Sequence, residues 1–119
     1  MGLDMYAIST KTKPDKAFGF KLPEDHHVFH VWRKHPDLHG LMEALYLQRG
    51  GQGTFNCTPL VLTAEDLDRL EDALRSDLQD RSESFGSITA DEFTDDLVFI
   101  EKARLLMAGG FTIIYDSWW

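Results

Sequence analysis

The chain has a single cysteine, Cys57, in 119 residues. It cannot close an internal disulfide, so the fold is expected to rest on burial alone, which suits a reducing cytosol. No apolar run approaches the roughly 20 residues of a membrane span. The opening MGLDMYAIST lacks the basic and apolar regions of a secretory leader, so none is expected. Position six is Tyr6 instead of Ser or Thr, which leaves Gly2 outside a myristoylation signal. Nucleotide-binding glycine fingerprints, the GxSxG elbow, HExxH and CxxC are all absent. These absences point away from the common enzyme classes and lean toward binding without catalysis.

Positive charge is also scarce, with 12 Lys and Arg against 20 Asp and Glu, for a net charge of −8. Residues 1–49 hold seven cations and six acids, a balance of +1, whereas residues 65–96 hold twelve acids and three arginines, a balance of −9. The acidic half would repel phosphate backbones, so general nucleic-acid binding is excluded there. It could instead face a basic host protein as a nucleic-acid mimic or interface blocker, although a solvated helix surface is the simpler account.

A hydrophobic fraction of 43%, with 12% aromatics, supports one globular domain over residues 1–119. Alternation predicts a strand over 2–9, then a loop over 10–25 that Phe18, Phe20 and Leu22 could pin. Val28 to Arg33 reads as a strand, with Phe29 and Val31 on one side and Val28, His30 and Trp32 on the other. Pro36 suits the first position of a helix over 37–49, whose Leu38, Leu41, Met42 and Leu45 form a stripe stopped at Gly50-Gly51. Thr54–Cys57 and Leu60–Leu62 read as short extended pieces. Thr63 and Asp66 form an N-cap signal for a helix over 64–78 with Leu67, Leu70, Leu74 and Leu78 in line. After a polar loop over 79–88, Thr89 and Glu92 make a capping box for a helix to about Ala108, and Phe111–Asp116 reads as a last strand. The expected class is α+β, with about three helices on a small mixed or antiparallel sheet.

Chemistry concentrates in VWRKHPDLHGLMEALY, residues 31–46. The five histidines, His26, His27, His30, His35 and His39, invite a metal, but their spacing fits no zinc pattern, and neither metal nor cofactor is expected. Arg33 and Lys34 precede a helix N-terminus, where backbone N–H groups favour an anion. Trp32 or Trp118 could stack on a ring, and His39 could complete the set. His39 with Asp4, Cys57 or Glu43 is a weaker hydrolase alternative. Asp91, Glu92, Asp95 and Asp96 read as macrodipole acids in a first helical turn.

The run Met1-Gly2-Leu3-Asp4-Met5-Tyr6, the step Trp32-Arg33-Lys34, the pair Leu38-His39, then Gly86-Ser87, Asp91-Glu92, Asp96-Leu97 and the ending Tyr115 to Trp118 together resemble a family of short phage and bacterial proteins of uncharacterised function. The chain departs from that family in carrying Met42-Glu43 where an aromatic pair is usual. The resemblance implies a phage or prophage accessory protein acting in the cytoplasm of a bacterial host, with Asp4, Trp32, Arg33, Lys34, His39 and Trp118 as family positions. The expectation is therefore a binding protein that captures a small anionic or nucleotide-like ligand, in a counter-defence role. A host protein is the alternative partner, self-association is left open, and no membrane is involved.

Overall fold

A computed structural model describes residues 3–33, 35–80 and 90–118. Its elements are β1 (Asp4–Thr10), β2 (His27–Arg33), α1 (Pro36–Gln48), β3 (Leu60–Leu62), α2 (Ala64–Asp80), α3 (Ala90–Ala108) and β4 (Thr112–Trp118). The strands form one antiparallel sheet in the order β2-β1-β4-β3, so the first and last strands are its centre. The three helices supply the other layer, and the α+β expectation holds. None of the helices among the described residues is long and apolar enough to cross a membrane.

The pleat decides which side chains meet the helices. Met5 and Ala7 of β1 join Tyr115 and Ile113 of β4, Leu60 and Leu62 of β3, and Trp32 of β2 in the main core. Leu38, Met42 and Leu45 of α1 enter the same core, as do Leu67, Leu70 and Leu74 of α2 and Phe99, Ile100 and Ala103 of α3. The expected apolar stripes are thus the buried ones, except that Leu41 is only partly buried and the Leu78 side chain lies outside the described residues. Helix α2 opens on a reciprocal cap: Asp66 N–H donates to Thr63 Oγ1 at 3.2 Å, and Thr63 N–H donates to Asp66 Oδ2 at 2.8 Å. Satisfying both ends of the cap in this way ties the helix start to the end of β3. The Thr89 cap expected for α3 lies outside the described residues, as does Phe85-Gly86-Ser87-Ile88.

Three expectations need correction. Thr54–Cys57 is no strand; the segment is irregular, and Cys57 adopts a left-handed φ of 54°. The last strand runs on to Trp118 because residues 116–118 pair with residues 4–6 of β1. In β2 the simple alternation fails. Ala7 pairs with His30 but Ile8 pairs with Val28, so Phe29 is an extra residue in a bulge. Phe29 therefore stacks on Phe99 at 6.1 Å, on the same side as His30 and Trp32, while Val28 and Val31 are exposed.

The loop after β1 runs to the far edge of the sheet, where Val61 N–H donates to Ala17 O and Gly19 N–H to Pro59 O. It then returns to β2, at the opposite edge. Ile8 and Ile114, on the face without helices, are buried. Asp25 closes the loop by accepting from the Thr10 hydroxyl at 2.6 Å and from Lys11 N–H at 2.9 Å. Those donors hold its carboxyl down at about 2.

Gly51 marks where the backbone passes closest to the core. A Cβ there would lie 2.4 Å from the ring of Tyr46. That ring is buried, and its hydroxyl donates to Gln52 O at 2.6 Å, so it has little freedom to retreat. Gly51→Ala is expected to lower stability by about 1–3 kcal/mol, as overpacking does, in urea unfolding; a midpoint equal to the parent's would refute this packing.

Candidate functional site

The entry to α1 is built around a carboxylate. Asp96 of α3 is fully buried, and its two oxygens take separate donors. Trp32 Nε1–H donates to Oδ1 at 2.9 Å, and His35 Nε2 stands 2.7 Å from Oδ2. His35 is itself buried, with Nδ1 3.8 Å from Glu92 Oε2. The preceding residue of α3, Asp95, has its Oδ2 3.0 Å from His30 Nε2. A buried carboxylate is costly unless hydrogen-bonded, and here strand β2 and the residue before α1 provide the bonds.

This arrangement changes the roles of the expected site residues. Trp32 is a core residue with its N–H committed to Asp96, so its ring is not offered to a ligand. The hollow beside the start of α1 is lined by Arg33 and His35, but also by Asp91, Glu92 and Asp95. Three carboxylates make that hollow a poor place for an anion. Asp96, expected as a first-turn acid in solvent, is instead the buried anchor. The signal for it was present: Asp96 precedes Ile100 by four residues and Ala103 by seven, so a charge falls on the apolar line of α3.

His39, half-buried, lies beside another part of the core. Its Nδ1 is 2.7 Å from the Tyr115 hydroxyl, and its ring stacks at 5.2 Å on Phe55. Burial lowers its pKa more than the charge of Glu43 raises it. Tyr115 is pushed the other way, its phenol held protonated chiefly by burial. Asp4 points to the opposite face of the sheet, and Cys57 is exposed, its thiol 3.6 Å from Asn56 Oδ1. The His39–Asp4 pairing of a hydrolase is therefore not assembled. The histidines are dispersed: His26 meets Pro23 O, while His30, His35 and His39 have the separate partners given above. Among the described residues no three His, Cys, Asp or Glu side chains converge as metal ligands would.

Three of the six expected residues do come together. In the sheet register Asp4 is opposite Arg33 of β2 on one side and Trp118 of β4 on the other. Side chains directly opposite one another share a face, so Arg33, Asp4 and Trp118 form a row on the face without helices. The Arg33 side chain is 82% exposed and Trp118 is 61% exposed. Arg33 Nε lies 3.5 Å from Asp4 Oδ1. The next row inward holds Val31, Tyr6 and Asp116. Asp116 is half-buried, which raises its pKa, and it accepts from Ser117 N–H at 3.0 Å. Lys34 and Trp119 lie outside the described residues.

The acidic helices are partly answered from within. Arg69 pairs with Glu65, Arg75 with Glu71, and Arg104 with Asp68 and Glu71. Glu71 is held below the usual carboxylate range by the hydrogen bonds from these arginines. Comparison with family models, curated proteins and solved structures finds no match, so function is inferred from geometry.

Two outcomes test the buried groups. Asp96→Ala is expected to cost about 3 kcal/mol or more, because it strands two buried donors, whereas Asp96→Asn, which keeps an acceptor, should lose less; equal urea midpoints for parent and Asp96→Ala would refute the anchor. His39 has a depressed folded pKa, so the neutral ring's contribution is complete above the ordinary value of about 6.5 and is lost as pH falls through the folded value. His39→Gln should therefore flatten the decline in stability from pH 6.5 toward 5, and an unchanged slope counts against a buried neutral imidazole.

Proposed function

We propose that the protein binds a small nucleotide-like anion on the open sheet face, through the row Arg33, Asp4 and Trp118. The observation that carries this reading is the register itself, which sets an exposed indole and an exposed guanidinium on either side of one carboxylate. The row spans two strand spacings, roughly 10 Å. A planar ring lying on Trp118 and an anionic group held by Arg33 fit that separation when a short linker joins them. Asp4 in the middle accepts from the donors of such a linker, as a sugar hydroxyl would supply.

The energetics favour exchange of partners. An exposed ion pair such as Arg33–Asp4 contributes about 0–1 kcal/mol, so giving the guanidinium to a ligand costs little. Arg33 can then make two charge-assisted bonds to a phosphate. Nothing in this scheme requires a catalytic group. Sequestering a host signal molecule, as a phage counter-defence protein would, needs binding alone.

Calorimetric titration with a panel of nucleoside mono- and diphosphates tests the reading. Saturable binding is expected, weakened by about tenfold or more in Arg33→Ala and in Trp118→Ala. Lack of binding across the panel, or binding that survives Arg33→Ala unchanged, would overturn it.

A further inference from the structure

At the other end of the sheet from Trp118 a second hollow departs from the charge of the chain. It is a cleft of about 390 Å³ between the loop after β1, the end of β3 and the turn from α3 into β4. That volume is at the small end of the range of about 300–1,000 Å³ typical of small-molecule sites. Its charged lining consists of Lys13, Lys16 and Arg49, with no carboxylate among the described residues that line it. In a protein of net charge −8 this is a strong local reversal.

The rest of the lining is mainly apolar, including Met107, Phe111 and Ile113. Arg49 is fixed from behind: its guanidinium donates to Val61 O at 3.1 Å and to Asp66, the residue that caps α2. Its charge is thus largely answered, and it shapes the wall more than it attracts. The lysines differ. Both are exposed, and among the described residues neither stands within ion-pair distance of a carboxylate. Lys11 adds a third cation nearby, its Nζ 5.3 Å from the centre of the Phe111 ring. The nearest acids in the loop are Asp15 and Glu24, both exposed and outside this lining, and Asp25, already held by Thr10, Lys11 N–H and Thr12.

Apolar walls under a cationic rim select one chemistry. We infer that this cleft binds an amphipathic anion, a molecule with an acyl or aryl body and a single carboxylate or sulfonate head. The body displaces water from the partly exposed Met107 and Phe111, which supplies the affinity. The head lies between Lys13 and Lys16, which supplies the choice of sign. This site is separate from the Trp118 row, at the opposite end of the sheet, and does not depend on it.

The test uses two probes of equal chain length and opposite charge, decanoate and decylammonium, each titrated calorimetrically below the concentration at which it self-associates. Decanoate is expected to bind saturably at one site, and decylammonium at least about tenfold more weakly. The double variant Lys13→Glu/Lys16→Glu should lose about tenfold in decanoate affinity, the sum of two exposed charge contacts, and should narrow or invert the preference. Lys13→Gln/Lys16→Gln serves the same purpose if charge reversal disturbs the fold. Absence of decanoate binding, equal binding of both probes, or affinity unmoved in both double variants would overturn the assignment.

Discussion

The bonds to Asp96 hold together elements that are far apart in sequence. A carboxylate with no exposed surface is tolerated only when its oxygens are occupied. Here one donor comes from β2 and the other from the residue that leads into α1, while the carboxylate itself belongs to α3. Strand, helix entry and final helix are thereby fixed at one point. Around it the rings of Trp32, His30, Phe29 and Phe99 close the core. Because Trp32 and His35 serve this anchor, the hollow beside the start of α1 is walled by Asp91, Glu92 and Asp95 as well as by Arg33.

Much of the fold was legible locally. The leucines of α2 and the Thr63–Asp66 cap are short-range signals, and the structure uses both as expected. Pro36 at the start of α1 and the glycines that end it are similar. What failed depended on partners distant in sequence. The bulge at Phe29 is a property of how β2 meets β1, and nothing in HVFHVWR announces it. Likewise the final strand gains residues 117 and 118 only because β1 lies beside them. The site follows the same rule. Trp32, Arg33 and His39 are close in sequence, yet the pleat sends Arg33 to the open face and Trp32 to the core, while His39 stands on α1 beside Tyr115 and Phe55. Asp4 and Trp118 are distant in sequence, and the register makes them neighbours.

The sheet has two unlike ends. At one, Arg33, Asp4 and Trp118 lie open on the helix-free face. At the other, the long loop lies against β3 and carries Lys13 and Lys16 to the edge of an apolar cleft. The loop belongs to the second end only, through its bonds to residues 59 and 61. Its closure by Asp25 persists across the neutral range, because a carboxyl at about 2 stays ionised there. The abundant acids of α2 are in part paired with arginines of α2 and α3.

The bulge in β2 bears on how copies of the chain behave in a crowded solution. The other outer edge, β3, is shielded by residues 17–19, but β2 has no strand beyond it among the described residues. A flat edge of seven residues with exposed Val28 and Val31 would be a template for fibre growth. Phe29 breaks the repeat near the middle of that edge, so an incoming strand finds its ladder out of step after three or four residues. The same residue that turns a ring into the core thereby interrupts the one long edge left without a neighbouring strand among the described residues.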